Sequence, residues 1–445
     1  MTAAPPALGP ETFAARRRRL LAALGPDSAA LFLAAPAAVR SNDVEYPYRQ
    51  DNDLLYLTGF PEPESAALLL PGSPEGEFHL FVRPRDPERE TWTGRRAGVE
   101  GARERYRADV AHDIAELETT VAKLAADRDR FHVSLGRDAQ ADARALRWVQ
   151  QWRQARPRGG KGAVSLCDPA AIVAEMRLIK EPAEIELLRA SAAVARAAHG
   201  EALRQVRPGM REFEVEALID FEFRRRGAAG PAYPSIVAAG ANATILHYVE
   251  NESLLDDGEL LLIDAGAELA GYCSDVTRTF PVGARYSEPQ RELYDIVLRA
   301  QKAAIDAVRP GATFDDPHRA ALGILVAGLV ELGLLQGSVD DAIEHAAYRP
   351  FYMHRTSHWL GLDVHDVGSY RSGDGPRVLE PGMVLTVEPG LYVASDNTDV
   401  DERFRGIGIR IEDDVLVTAA GNEVLTVGIA KEIAEVEALR AEALG

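Results

Sequence analysis

The residue types in this sequence that can do chemistry gather in four short stretches of its second half. Residues 259–280, ELLLIDAGAELAGYCSDVTRTF, place Asp264 and Asp275 in β-rich segments on either side of a turn around 269–271. A hairpin symmetric about Leu269 and Ala270 sets the two acids directly opposite each other, sharing a face, with Cβ atoms roughly 4.5–5.5 Å apart. Carboxylates that close, flanked by apolar strand residues, repel unless a cation sits between them; the competing reading is a pair of exposed turn acids. Residues 353–368, MHRTSHWLGLDVHDVG, contain His354, His358 and His365, three of the chain's ten histidines. His354 and His358 have the i, i+4 spacing of a zinc pair on a helix, but Arg355 stands where the glutamate of an HExxH motif would be. The Leu360-Gly361-Leu362 run and the alternation at Val364 read instead as a strand entering a turn. Residues 380–393, EPGMVLTVEPGLYV, hold an apolar strand closed by Glu388-Pro389-Gly390, a carboxylate that needs either a buried cation or a solvent-facing turn. In residues 406–417, GIGIRIEDDVLV, Ile407, Ile409 and Ile411 face one way while Gly408, Arg410 and Glu412 face the other. The small Gly408 leaves room for a ligand beside Arg410 and Glu412; a surface Arg–Glu pair is the alternative.

Together these stretches offer four carboxylates, Asp264, Asp275, Glu388 and Glu412, with His358 as one softer ligand. A donor set dominated by oxygen favours hard or borderline divalent ions: manganese first, then cobalt, zinc or magnesium. Four carboxylates exceed the charge balance of one ion. Two ions about 3.5–4 Å apart, sharing bridging carboxylates and a water, match better. Such a pair makes hydroxide near neutral pH and polarises a carbonyl, which is metal-assisted hydrolysis.

Residues this far apart need a fold that gathers them. Glu181-Pro182 opens a helical pattern that stops at Val206-Arg207-Pro208-Gly209, and Glu288-Pro289 opens another that stops at Val308-Arg309-Pro310-Gly311. Each is followed by a second helical pattern, 212–226 and 316–335, and then by strand-rich segments. Two α-α-β halves predict a pseudo-symmetric domain with helices covering one face of a curved sheet. Ahead of it, residues 28–35, 53–57, 66–70 and 78–82 read as strands, and 109–126 and 138–154 as helices. The fold class is therefore α/β (α+β), with an N-terminal α/β domain over 1–172 and a catalytic domain over 173–445.

The remaining composition mostly excludes. Fifty basic and 69 acidic side chains give a formal charge of −19, against which a nucleic-acid surface or an anionic membrane would have to work. The most apolar stretch, 320–335, is interrupted by Glu331 short of a membrane span. The basic run Arg16 to Arg19 lies in a helical pattern over 11–24 and is expected to form mostly a solvated face, with no signal-like apolar stretch behind it. Cytoplasm is the expected location. Cys167 and Cys273 are too few for a disulfide framework and are expected to be small reduced hydrophobes.

The order Asp264, Asp275, His358, Glu388, Glu412 resembles the metallopeptidases of the creatinase-like, or pita-bread, fold. HRTSHWLGLDVHD is similar to the signature of that family's proline-peptide branch, aminopeptidase P and prolidase. YPYRQDNDLLYLTGF, ILHYVENE at 245–252, IDAGAELAGYCSDVTRTFPVG, VLTVEPGLYV and GIGIRIEDDVLV extend the resemblance over nearly the whole chain, closest to the bacterial aminopeptidase P type. The resemblance implies a pita-bread catalytic domain with a mostly antiparallel sheet. It implies an Xaa-Pro aminopeptidase in which a hydroxide bridging two divalent ions, most simply Mn2+, attacks the carbonyl before proline. Asp275 and Glu412 would bridge both ions, Asp264 would hold one bidentately, and His358 and Glu388 would complete the other. Glu388 is similar to the family's proton shuttle. His247 and His365 match histidines that contact the substrate carbonyl and developing oxyanion, and His354 and Arg410 match those shaping the proline-side pocket. A free substrate α-amine, bound by a metal or an acidic neighbour, would limit cleavage to the first bond. Tertiary Xaa-Pro amides lack an N–H, so a dedicated site must recognise the ring by shape and protonate its nitrogen as it leaves.

Relatives of this kind commonly form dimers or tetramers through the N-terminal domain, so a homo-oligomer is expected. Arg355 occupies a slot where a small residue is more usual; pointing inward it would narrow the pocket. Prolidase, which requires a dipeptide's free carboxylate, is the alternative reading. Methionine aminopeptidase resembles only the second part of the chain. Relatives that have lost their metals and serve as binding modules fit poorly with five intact ligands.

Overall fold

The structure, a computed structural model, describes residues 6–445, which divide into two compact units, Leu8–Met176 and, with Pro6 and Ala7, Arg177–Gly445. The first is built on a six-stranded mixed sheet in the order Val110–Asp113, Phe78–Val82, Ala66–Leu69, Ser28–Leu33, Arg130–His132, Ser165–Cys167. Its central strands pair antiparallel and its outer pairs parallel.

Three expectations change here. Residues 53–57 belong to a helix, Asn52–Thr58, because Asp51 caps it by accepting from the Asp53 and Leu54 amides and Gly59, at φ 67°, ends it. A run this short has no period to tell helix from strand. Within 109–126, a strand, Val110–Asp113, precedes the helix Leu117–Leu124. Arg16 and Arg17 are buried rather than solvated, at 0% and 5% exposure. The last turn of Asn52–Thr58 leaves carbonyls without helical partners, and Arg16 and Arg17 donate to Tyr56 O at 3.2 Å and Leu57 O at 2.9 Å. Their guanidinium groups lie 4.0 Å and 3.9 Å from the Tyr56 and Phe78 ring centroids.

The second unit repeats one plan twice. Helices Pro182–Gln205 and Glu212–Arg225 lead into antiparallel strands Ile236–Ala239, Leu260–Asp264 and Thr277–Pro281. Helices Glu288–Ala307 and Asp316–Glu331 precede strands Val384–Val387, Asp413–Thr418 and Gly421–Val424, again antiparallel. The long first helix of each repeat opens with a capping box, Glu181 with Glu184 and Ser287 with Gln290. Ile263, Leu293, Leu325, Leu385 and Val415, drawn from both repeats, are fully buried in one apolar core. Among the described residues no helix is long and apolar enough to cross a membrane.

The hairpin carrying the first two acids has a different register from the one expected. Asp264 pairs with Thr277 and Leu269 with Tyr272, so the turn is Ala270-Gly271, with φ of 52° and 87°. A two-residue hairpin turn of this kind needs positive φ at both central residues, and Gly271 supplies one of them at no steric cost. Asp275 therefore lies diagonally across from Asp264 rather than opposite it, still on the same face.

Candidate active site

Each acid stands where a strand ends. Asp264 closes Leu260–Asp264, Asp275 precedes Thr277–Pro281, Glu388 follows Val384–Val387, and Glu412 joins Ile407–Arg410 to Asp413–Thr418. His358 sits in an extended segment rather than a helix: its carbonyl accepts from Thr386 N at 2.9 Å, and the next residue, Trp359, bridges to Leu385. These pairings seat His358 beside the strand that leads to Glu388. Ligand atoms of Asp275, His358 and Glu412, all buried, lie within 4.8 Å of one another.

Three observations show that this donor set fits divalent cations. His358 Nδ1 donates to Trp359 O at 3.0 Å, so Nε2 is the atom that faces Asp275 at 3.3 Å and Glu388 at 3.7 Å, where it can bind either a cation or a proton. Burial pushes the His358 pKa down, but the Asp275 and Glu388 carboxylates outweigh it and hold it at about 9, so in the absence of a metal a proton takes the cation's place. The single Tyr233 hydroxyl hydrogen meets two carboxylates, Asp264 at 2.6 Å and Asp275. Burial, then repulsion from Asp275, Glu388 and Asp264, raises the Glu412 carboxyl; burial raises Asp275 against the His358 hydrogen bond, and burial raises Glu388 to about 7. Clustered acids that resist ionising are acids awaiting positive charge.

Around them lies a cavity of about 900 Å³ lined by His247, His354, Arg355, His365 and Arg410 as well as the acids. Arg410 donates to Asp264 at 2.6 Å and to the Tyr392 hydroxyl at 3.1 Å, and His354 Nε2 meets the same hydroxyl at 2.9 Å. Burial, then the Arg410 charge, lowers the His354 pKa to about 4, so its imidazole is neutral. The His365 ring centroid is 4.1 Å from that of His358, and burial also lowers its pKa. His247 is on the exposed loop between Ile236–Ala239 and Leu260–Asp264. All the site residues expected from the sequence thus face one cavity. Arg355 lines it too, half exposed and paired with Asp315.

Gly408 does not leave room for a ligand. A Cβ there would lie 2.0 Å from Ala243 O, because the short turn Gly240–Thr244 packs directly on it. Tyr233, Thr277, Tyr392 and Arg278 were not singled out from the sequence. Thr277 donates to Glu412 at 2.6 Å; Arg278, behind the site, donates to Glu412 O at 2.6 Å and to Asp413 at 2.7 Å. Only the consecutive acids 412–414 within an apolar strand hinted at such a buried cation.

Comparison with known proteins follows the same lines. Residues 186–419 match the model of metallopeptidase family M24, and 13–133 match that of the aminopeptidase P N-terminal domain. The chain is 46% identical over 430 residues to the Xaa-Pro aminopeptidase of Escherichia coli K12, covering 96% of this chain and 97% of that one. It is 36% identical over 449 residues to Xaa-Pro aminopeptidase 3 of Rattus norvegicus, covering 97% and 86%. Among solved structures, Pseudomonas aeruginosa aminopeptidase PepP superposes with a TM-score of 0.97 at 48% identity, covering 99% of each chain.

Proposed function

We propose, because the chain belongs to metallopeptidase family M24 and carries an aminopeptidase P N-terminal domain, that it releases the first residue from peptides with proline in second position. The convergence of Asp275, His358 and Glu412 in a cavity large enough for an extended peptide carries the reading. Asp264, Asp275, His358, Glu388 and Glu412 would hold two divalent ions, with manganese the expected metal. Bound there, such ions supply Lewis acidity toward the scissile carbonyl and lower the pKa of a water toward neutrality.

The chain's own groups do the rest. Glu388, at the edge of the cluster, takes the proton given up by the attacking water and passes it to the proline nitrogen as that nitrogen leaves. Without that proton the leaving group would be an amide anion. His247 and His365 donate to the substrate carbonyl oxygen as charge builds on it. Neutral His354 and the Arg410–Tyr392 pair form the wall against which the proline ring rests. Residues 1–172 serve oligomerisation and access to the site, the enzyme works as a homo-oligomer, and it works in the cytoplasm without nucleic-acid or membrane partners.

A manganese-reconstituted assay on Xaa-Pro-Yaa tripeptides beside Xaa-Pro dipeptides tests this reading. Release of the first residue from the tripeptides is expected. Cleavage of dipeptides alone would make the enzyme a prolidase instead.

A further inference from the structure

His247, given the substrate carbonyl oxygen above, is exposed and makes no side-chain hydrogen bond among the described residues. Its position therefore depends on the loop that carries it. That loop leaves the sheet at Ala239, passes through Gly240–Thr244, and returns through Tyr248, Asn251 and Ser253. Both of its limbs converge on one carboxylate. Glu212, the first residue of the helix Glu212–Arg225, is fully buried, and its side chain accepts four hydrogen bonds from this loop. On Oε1 it takes the Ala239 amide at 2.7 Å and Asn242 Nδ2 at 3.0 Å; on Oε2 it takes the Tyr248 hydroxyl at 2.7 Å and the Ser253 amide at 2.7 Å. The first pair lies ahead of His247 and the second behind it, with Tyr248 its immediate neighbour.

The chemistry of this clamp is selective. A buried carboxylate without a cation among these partners is tolerable only if its lone pairs are filled, and four donors fill them. Two of the donors are backbone amides, which cannot reverse, so an oxygen is required on each arm. A glutamine would keep the size but point its NH2 at one of those amides. The Glu212 amide also donates to Ser253 O at 3.0 Å, so helix and loop are tied from both directions. Asn251, behind His247, is separately fixed by the Val237 amide at 3.0 Å and Ser235 O at 2.9 Å; the segment between 242 and 248 packs on Gly408 from one side, and among the described residues Glu212 is the one carboxylate that ties both of its ends.

We infer that Glu212 is the positioning residue for His247, setting the height of its imidazole over the substrate carbonyl through Tyr248 and Ala239. The inference rests on the proposed function and deepens it. Misplacing a reacting group by about 1 Å costs on the order of 100-fold.

The test is a double-mutant cycle on the metal-loaded full chain with an Xaa-Pro-Yaa peptide, using E212Q, H247A and E212Q/H247A. Metal content and thermal midpoint are measured for each variant. E212Q is expected to lower kcat by about 10- to 100-fold with little change in KM. In the H247A background the same substitution is expected to cost less than about twofold, because there is no imidazole left to misplace. Backbone hydrogen exchange is expected to quicken over 240–250 and to stay unchanged over 260–264. Should E212Q fold poorly, Y248F, which removes one hydroxyl, runs the same cycle with a smaller expected loss. Losses that multiply in the double mutant, or an E212Q enzyme with unaltered kcat, overturn the inference. If H247A is as active as the unmodified chain, the role given to His247 falls and the clamp's purpose with it. That outcome is read from H247A alone, apart from the cycle.

Discussion

Glu412, Asp413 and Asp414 are consecutive acids with three different partners. Glu412 faces the cavity; Asp413 is bound by Arg278 at 2.7 Å and Lys431 at 2.6 Å; Asp414 accepts from the Asp275 amide at 3.1 Å. Burial pushes Asp413 up, yet Arg278 and Lys431 outweigh it and hold its carboxyl at about 2. Of the four clustered acids facing the cavity, Asp264, Asp275, Glu388 and Glu412, only Asp264 has such a fixed cation among the described residues, Arg410 at 2.6 Å, and this difference sets a pH signature for the metal-stripped enzyme. Glu388, raised to about 7, keeps its proton in the fold when the unfolded chain has lost it, and His358, raised to about 9, does the same at higher pH. With more protons bound when folded, stability falls as pH rises, first between about 4.5 and 7 and then between about 6.5 and 9. Below about pH 6.5 the neutral histidines His199, His318 and His354, lowered to about 4 by burial, act in the opposite sense, so thermal midpoints of chelator-treated enzyme are expected to drop from pH 7.5 to 9, and saturating manganese to remove most of that drop by taking the proton's place. Which acids face the cavity could be read from spacing, because strand alternation puts Arg410 and Glu412 on one side. That Arg278 would lie behind them could not, since its contacts to Glu412 and Asp413 span more than a hundred residues.

The strands and turns set those side chains through backbone contacts with little slack. Gly408 is the clearest instance: its missing Cβ is where the Gly240–Thr244 turn passes, and that turn begins the His247 loop. Gly408→Ala is expected to cost about 1–3 kcal/mol in denaturant unfolding. It is also expected to lower kcat/KM beyond that stability loss, since the displaced turn leads to His247; equal activity in the folded fraction would count against this coupling. The paired helices of the repeat were readable from their Pro-Gly punctuation, and the helices Pro182–Gln205 and Glu288–Ala307 end at the two VRPG segments. The Asp264–Asp275 hairpin was read two residues off in its pairing because Leu269 to Gly271 offered competing centres, and only positive φ at Ala270 and Gly271 decides between them. Arg16 and Arg17 were misread for a related reason. Their partners are carbonyls of a helix whose existence depended on the Asp51 and Gly59 caps.

Across the whole chain, the charge of −19 acts as a field on substrates rather than as a structural force. A peptide with lysines after its proline is expected to show a KM several-fold below that of its glutamate counterpart at low ionic strength. The ratio should approach one near 1 M salt, where the Debye length is about 3 Å; a ratio indifferent to salt would assign the preference to local contacts. The two repeats carry a further consequence. Asp264 and Asp275 come from the first, and His358, Glu388 and Glu412 from the second, so neither repeat encloses the donor set by itself. Bound ions then reward only the state in which both repeats are folded, and they raise cooperativity as well as stability. Calorimetry of the loaded enzyme is expected to give a narrow transition for the catalytic unit. After chelation the endotherm should broaden, with a van't Hoff enthalpy below the calorimetric one, so that metal status is written in the width of the melt and not only in its midpoint.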